Sequence, residues 1–190
     1  MTTINPAAGT TNTVYGTSGD DNVHISKAPG LLGALGLYEV NVNGNVSYMT
    51  KNQLEHTDFK LGAGNDTLVV DSNVNASIHA EGGSGNDVMI GGNGNDVFDG
   101  GRGNDFIDGR GGNDQLAGGK GNDVLVGGSG VNVLDGGRGD DTLVNTGGIN
   151  FDNGGRGNDT FINLGGLNFD KGGPGWDHFI NLGGLNFDKQ

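Results

Sequence analysis

From Gly82 to Lys189 the sequence keeps a nine-residue period through twelve consecutive units, beginning GGSGNDVMI, GGNGNDVFD and GGRGNDFID, with no insertion or deletion. A fixed short period makes a chain fold one coil many times and stack the copies, because each coil can bury its apolar side chain only against its neighbours. Two units make one coil, so equivalent residues line up in files at the strand spacing of about 4.8 Å. Within a unit the first six residues read as a turn and the last three as a short strand around one large apolar residue. Met89, Phe98, Ile107, Leu116, Leu125, Leu134 and Leu143 are the expected inward side chains.

Composition fits such a thin-walled stack. The chain has 190 residues, and its 42 glycines are periodic, which separates it from a disordered linker. Hydrophobic residues make up 32%, too few for a broad globular core but enough for one or two inward side chains per coil. The formal net charge of -13 argues against nucleic acid, which needs a basic face, and for bound cations. There is no cysteine, so any staple must be a metal rather than a disulfide. The longest apolar patch, GLLGALGL, is broken by glycine and too short to cross a membrane. Residues 1–30 show no basic start followed by an apolar block, so export would not use a cleaved signal peptide.

Two regions are expected. Residues 1–60 form a flexible N-terminus and a β-rich capping region. Residues 61–190 form the roll. Residues 1–15, rich in Thr, Asn and Ala, read as a loose start. GTSGDDNVH, from Gly16 to His24, fits the nine-residue template as an isolated first copy. Tyr38, Val40 and Val42 alternate with polar residues, Asn43-Gly44 follows, and Val46 and Tyr48 resume the alternation, which predicts a hairpin. Thr50 to Gln53 fits a capping box opening a brief helix. LGAGNDTLV (61–69) restores the repeat, and Ala76 to Ala80 reads as the strand of an irregular coil.

The pattern resembles the glycine-rich GGxGxDxUx nonapeptide of the RTX, or haemolysin-type, calcium-binding repeat family, over roughly two-thirds of the chain. A single GGxGxD carries little weight, whereas a row in unbroken phase is specific. The resemblance implies an all-β fold, a right-handed parallel β-roll (an RTX β-solenoid) with an N-terminal β-rich cap. It also implies several Ca2+ ions, each between successive turns on one flank and held by both aspartates and by turn carbonyls. The residue chemistry agrees independently. Glycine permits φ > 0 and brings carbonyls together, Asp adds a hard anionic oxygen, and a flexible all-oxygen cage favours calcium over magnesium and transition metals. Stacked carboxylates about 5 Å apart would repel by roughly 3 kcal/mol per pair at an effective dielectric of 20. A chain disordered without calcium and folding cooperatively on binding it is therefore expected.

Sorting the units by flank separates two edges. Asp87, Asp105, Asp123, Asp141, Asp159 and Asp177 form an unbroken file that Asp66 extends at its start. The other flank carries Asp96 and Asp114, then Asn132, Asn150, Asn168 and Asn186. Five or six sites are expected on the first flank and one or two on the second, counted as adjacent Asp pairs. The carbonyls implied as further ligands are those of Gly82, Ser84, Gly101, Gly103, Gly119, Gly121, Gly137, Gly139, Gly155, Gly157, Gly173 and Gly175. On the second flank Ile149, Leu167 and Leu185, then Phe151, Phe169 and Phe187, and Leu164 above Leu182, are expected to stack as apolar ladders, with Asn files hydrogen-bonding between coils.

Arg102, Lys120, Arg138 and Arg156 make a basic ladder on an acidic chain. It reads as charge compensation beside the calcium row, or as a surface for an acidic polysaccharide. His24, His56, His79 and His178 are scattered, without metal-site spacing. There is no GxSxG and no Cys nucleophile, so no enzyme is expected, and an ice-binding face would lack its Thr row. Pro174 and Trp176 alter the last turn of the first flank, and an exposed last coil could pair with another copy. The sequence thus reads as a calcium-folding module of a secreted, extracellular bacterial protein. An adhesive glycan-binding module and a virulence factor exported without a signal are the alternatives.

Overall fold

The computed structural model describes residues 11–190, so the start of the stretch expected to be loose lies outside it. Chain order gives β1 (Asn12–Tyr15), β2 (Asn22–Lys27), α1 (Gly30–Ala34), β3 (Leu37–Val42), β4 (Asn45–Thr50), α2 (Lys51–Leu54), β5 (Thr57–Ala63) and β6 (Thr67–Val70). The periodic part gives β7 (His79–Ser84), β8 (Val88–Ile90), β9 (Val97–Arg102), β10 (Phe106–Asp108), β11 (Gln115–Lys120), β12 (Val124–Val126) and β13 (Val131–Arg138). It ends with β14 (Thr142–Asn145), β15 (Ile149–Arg156), β16 (Thr160–Asn163), β17 (Leu167–Lys171), β18 (His178–Asn181) and β19 (Leu185–Lys189).

The strands form two facing sheets. One has nine strands in the order β1-β5-β7-β9-β11-β13-β15-β17-β19. The other has ten, β18-β16-β14-β12-β10-β8-β6-β2-β3-β4. Pairing is parallel throughout, except that β3 runs antiparallel to β2 and to β4. From β5 onward alternate strands belong to opposite sheets, so the chain winds as a parallel β-roll, and residues eighteen apart, such as Leu116 and Leu134, are direct partners. The two sheets differ in strand length. In the periodic part, strands of the ten-stranded sheet span the last places of their unit, as in β10, and β14, β16 and β18 add the first residue of the next. Those of the nine-stranded sheet from β7 to β15 run on through the opening glycines of the next unit, as in β9, whereas β17 and β19 stop at the end of theirs. The nine-residue template therefore alternates between two strand lengths instead of repeating one.

The core is a file of single side chains from each sheet. Leu68, Met89, Ile107, Leu125, Leu143 and Phe161 face Ala80, Phe98, Leu116 and Leu134, all buried. The N-terminal end is broader. Val23, Ile25, Val40, Val42, Met49, Leu54 and Phe59 are buried in one cluster with the first coils. There the β3–β4 turn places Asn43 and Gly44 at φ 52° and 83°, the pair of left-handed residues that a two-residue hairpin requires. Thr50 and Gln53 close a capping box on α2. Asn12–Tyr15, within the stretch expected to be loose, instead form β1 and pair with β5. The strand expected across Ala76 to Ala80 begins only at His79, while Ala76 and Ile78 are buried ahead of it.

The apolar ladders expected on the second flank are in register, but they lie outside. Phe151, Phe169 and Phe187 stack with centroids 5.1 Å apart at each step, yet all three are substantially exposed. Side chains alternate across a strand, so an outward Phe151 puts Asp152 inward. It takes the place that Leu134 holds one coil earlier. The interior of the C-terminal coils is polar on this side.

Candidate metal centre

Each unit's sixth-place Asp sits at the end of its turn, and its backbone hands it to the next coil. The N–H of Asp66 donates to Oδ1 of Asp87, that of Asp87 to Asp105, Asp105 to Asp123 and Asp123 to Asp141, each at 2.8 Å. Asp141 donates to Asp159 at 2.9 Å and Asp159 to Asp177 at 3.0 Å. The carboxylates predicted for the first flank therefore stand in one continuous file. On the second flank Ile78 donates to Asp96 and Asp96 to Asp114, both at 2.8 Å. The N–H of Asp114 then donates to Oδ1 of Asn132 at 3.1 Å, and the file continues as amides. Asn132, Asn150 and Asn168 each donate a side-chain N–H to Oδ1 of the next Asn, at 3.1, 2.8 and 2.7 Å.

Because Oδ1 is committed to the backbone, Oδ2 decides the chemistry. The Oδ2 atoms of Asp66, Asp87, Asp105, Asp114, Asp123, Asp141, Asp159 and Asp177 are buried and have no hydrogen-bond partner among the described residues. Asp96 differs, since its Oδ2 accepts the Gly92 N–H at 3.1 Å. From Gly82 onward, the glycine opening each unit with a sixth-place Asp makes this possible: a Cβ on Gly100 would collide with Oδ2 of Asp105. The turns are equally tight between coils. The carbonyl oxygens of Gly101, Gly119, Gly137 and Gly155 face the equivalent glycines of the next coil, ending at Gly173. Those of Gly103, Gly121, Gly139 and Gly157 do the same, ending at Gly175, while Gly82 packs against Asp87 and the Gly100 carbonyl. The Ser84 carbonyl accepts the Gly64 N–H at 2.9 Å.

Burial disfavours the charged form and is the main cause of the carboxyl shifts here. It pushes Asp87, Asp105 and Asp114 up to about 6, and Asp96 and Asp141 up to about 7; backbone N–H donors oppose the rise and neighbouring aspartates add to it. Asp66, Asp123 and Asp159 are raised for the same reason. Among the described residues no three His, Cys, Asp or Glu side chains converge on one point. A metal here would therefore draw most of its ligands from carbonyls, with a carboxylate oxygen from each adjoining turn. That all-oxygen donor set, with a buried unpartnered anionic oxygen in every turn, fits a hard divalent cation of calcium's size and flexibility.

Two features of the files escaped the sequence reading. Asp21, sixth residue of the isolated copy GTSGDDNVH, heads the first file: its N–H donates to Oδ1 of Asp66 at 2.7 Å. Unlike the others it is satisfied by protein donors, with Thr17 on Oδ2 and the Asn43 amide on Oδ1. The residue just before each Asp also forms an outer file. The N–H groups of Asn86, Asn104 and Asn122 donate to Oδ1 of Asn65, Asn86 and Asn104 at 2.7–2.8 Å. The recurring Asn-Asp pair was the available signal for the outer file, and the sixth place of GTSGDDNVH was the signal for Asp21.

The family pattern described as RTX calcium-binding nonapeptide repeat (4 copies) matches residues 7–24, 81–116 and 108–143. These matches take in the copy headed by Asp21 and the turns from Asp87 to Asp141. Neither a curated protein nor a solved structure matches the chain. No helix among the described residues is long and apolar enough to cross a membrane. With buried carboxylates in phase in stacked glycine turns, the chain carries the RTX-type calcium-binding nonapeptide repeat, wound into a parallel β-roll.

Proposed function

We propose that the chain is a non-catalytic module of a secreted bacterial protein, and that calcium outside the cell folds it by filling the turns of the first flank. The observation that carries this reading is the file of buried Oδ2 atoms from Asp66 to Asp177, each without a donor. Burying carboxylates without a partner costs several kcal/mol each, and a cation between turns offsets that cost. The sites would lie between Asp66, Asp87, Asp105, Asp123, Asp141, Asp159 and Asp177 in succession, with Asp96 and Asp114 framing one on the second flank. Extracellular calcium is millimolar and fills weak sites, whereas cytosolic calcium leaves them empty. Folding would thus wait until the chain is outside. Circular dichroism on the full chain during a calcium titration tests this. Strand signal should appear cooperatively with calcium and vanish with chelator, and full strand content in chelator at neutral pH would refute it.

A second reading has its own observation. Arg102, Lys120, Arg138 and Arg156 are paired in strict register along β9, β11, β13 and β15 and make no ion pair among the described residues. They line a groove of about 710 Å³ together with Gly101, Gly119, Gly137 and Gly155, and Asp99 and Asp135 line it too. Four cations one strand spacing apart suit an extended acidic polysaccharide. Retention of the calcium-loaded protein on an acidic glycan column, lost when all four become Ser, would support this role. Equal retention of both proteins removes it.

A further inference from the structure

Toward the C-terminal end the nine-stranded sheet wears its apolar residues outside. Val133, Phe151, Phe169 and Phe187 form one outward column across β13, β15, β17 and β19, each the direct partner of the next, and Gln115 ends the column on the N-terminal side. Two residues earlier on the same strands, Val131, Ile149, Leu167 and Leu185 form a second. All of these are exposed except Leu167, which is half-buried. The inward positions of β15 and β17 are instead Asn150, Asp152, Asn168 and Asp170, with the Asn145 and Asn163 amides donating to the two carboxyls. Burying apolar surface is the main gain of folding, and these coils leave theirs in water.

The patch has a size, a texture and a charged border. With Phe187 at 51% exposure and Ile149 at 37%, it presents on the order of 500 Å² of apolar surface, above the few hundred Å² at which such a patch marks a binding surface. The rings of Phe151, Phe169 and Phe187 lie on one another at interplanar angles of 7° and 10°, so their faces are taken and their edges point out. A sugar or base that stacks on an aromatic face finds none open between the coils, whereas ring edges suit interdigitation with other apolar side chains. Along the far side of the Phe column run Asp135, Asn153, Lys171 and Lys189, which change from acidic to basic toward the last coil. Neither lysine has an ion-pair partner among the described residues.

We infer that this face packs on the same face of a second copy of the chain, about a two-fold axis running along the strands between β15 and β17. Such a rotation reverses the order of the coils and keeps each column opposite itself, as an isologous contact requires. Phe151 meets Phe169 of the second copy, Val133 meets Phe187, Ile149 meets Leu167 and Val131 meets Leu185. In the polar column Asp135 faces Lys189 and Asn153 faces Lys171, so the reversal of sign along one copy becomes complementarity between two. The basic ladder does not oppose this, because it ends at Arg156 and the equivalent place in the next coil is Pro174. With the polar column added, the buried area approaches the roughly 800 Å² per partner of a standard stable interface. Sheets packed in this way lie about 10 Å apart, at a small angle set by their twist.

Sedimentation velocity of the full chain in saturating calcium, over a dilution series, tests this. Wild type should sediment as a dimer of the 19.3 kDa chain and dissociate on dilution. F151T/F169T keeps strand-forming residues on an exposed face, so strand content by circular dichroism should hold while the dissociation constant rises about a hundredfold. D135K or K189E alone sets like charges opposite each other twice per dimer and should weaken association by about tenfold. D135K/K189E in one chain exchanges the pair and should restore the wild-type constant. A folded wild type that stays monomeric overturns the pairing, and its capture as a monomer by phosphatidylcholine vesicles would assign the face to lipid instead. A dimer that survives F151T/F169T overturns this face, and a charge exchange without rescue overturns the two-fold register. Whether calcium drives folding is read separately, from strand content with and without chelator.

Discussion

The backbone N–H of Asp105 donates to Oδ1 of Asp123 at 2.8 Å, and this bond leaves Oδ2 of Asp123 as the oxygen without a partner. An Asn at either position could still accept the backbone bond while removing the anionic oxygen. Asp105→Asn with Asp123→Asn should therefore leave the coil geometry intact. Calcium affinity at the sites sharing these residues should weaken by roughly tenfold or more, because calcium sites are tuned by ligand charge. Equilibrium dialysis with a calcium indicator measures it, and unchanged affinity would remove the carboxylates from the site.

Acid should stabilise the calcium-free fold. The ordinary Asp value of 3.8 rises to about 6 at Asp87 and Asp105 and to about 7 at Asp96 and Asp141. A folded-state value above the unfolded one means the folded chain binds protons more tightly. The contribution is therefore complete below about 3.8 and is lost as pH rises through 6 to 7. In chelator strand content should be greater at about pH 5 than at about pH 8. With saturating calcium the order should reverse, since the metal requires the ionised form. Circular dichroism across this pH range in both media reads the sign directly.

Gly121 has φ +126° and a Cβ there would overlap the Gly103 carbonyl oxygen. Gly121→Ala should cost more than about 3 kcal/mol, combining left-handed strain with a backbone clash. Gly147 has nothing within 4 Å of where its Cβ would lie, and Gly147→Ala should change stability by less than about 0.5 kcal/mol. Urea unfolding in saturating calcium separates the two.

Asn168 accepts from Asn150 at 2.8 Å and donates to Asn186 at 2.7 Å in the amide stretch of the second-flank file, beyond Asp114. Asn168→Ala strands a buried donor and should cost about 1–3 kcal/mol. The number of calcium ions bound should not change. Urea midpoints and calorimetry on the same sample test both halves.

Much of this was legible because the period is strict. Met89, Ile107 and Leu125 are the inward residues, and the two Asp files follow directly from counting two units per coil. Asp21 was harder to see, since β3, β4 and α2 interrupt the phase and set it 45 positions before Asp66. Asp152 was missed for a different reason. In the run Ile149 to Asn153 the apolar residues alternate with polar ones, so the usual apolar-in rule points Ile149 and Phe151 inward. Register overrides that rule: Leu134 pairs with Asp152, and a strand already in a ladder cannot turn over without breaking it. The Asn145 and Asn163 amides, together with raised proton affinity, make the burial tolerable.

The antiparallel hairpin of β3 and β4 gives the roll a kinetic direction. Its contacts are close in sequence, it carries a capped helical turn, and it borders the broadest apolar cluster in the molecule, so it can form before any coil exists. Every later coil has a ready edge to zip onto only from that side. Growth then proceeds coil by coil away from the hairpin, and damage to β3 or β4 should slow folding of the whole array while leaving the finished C-terminal coils untouched.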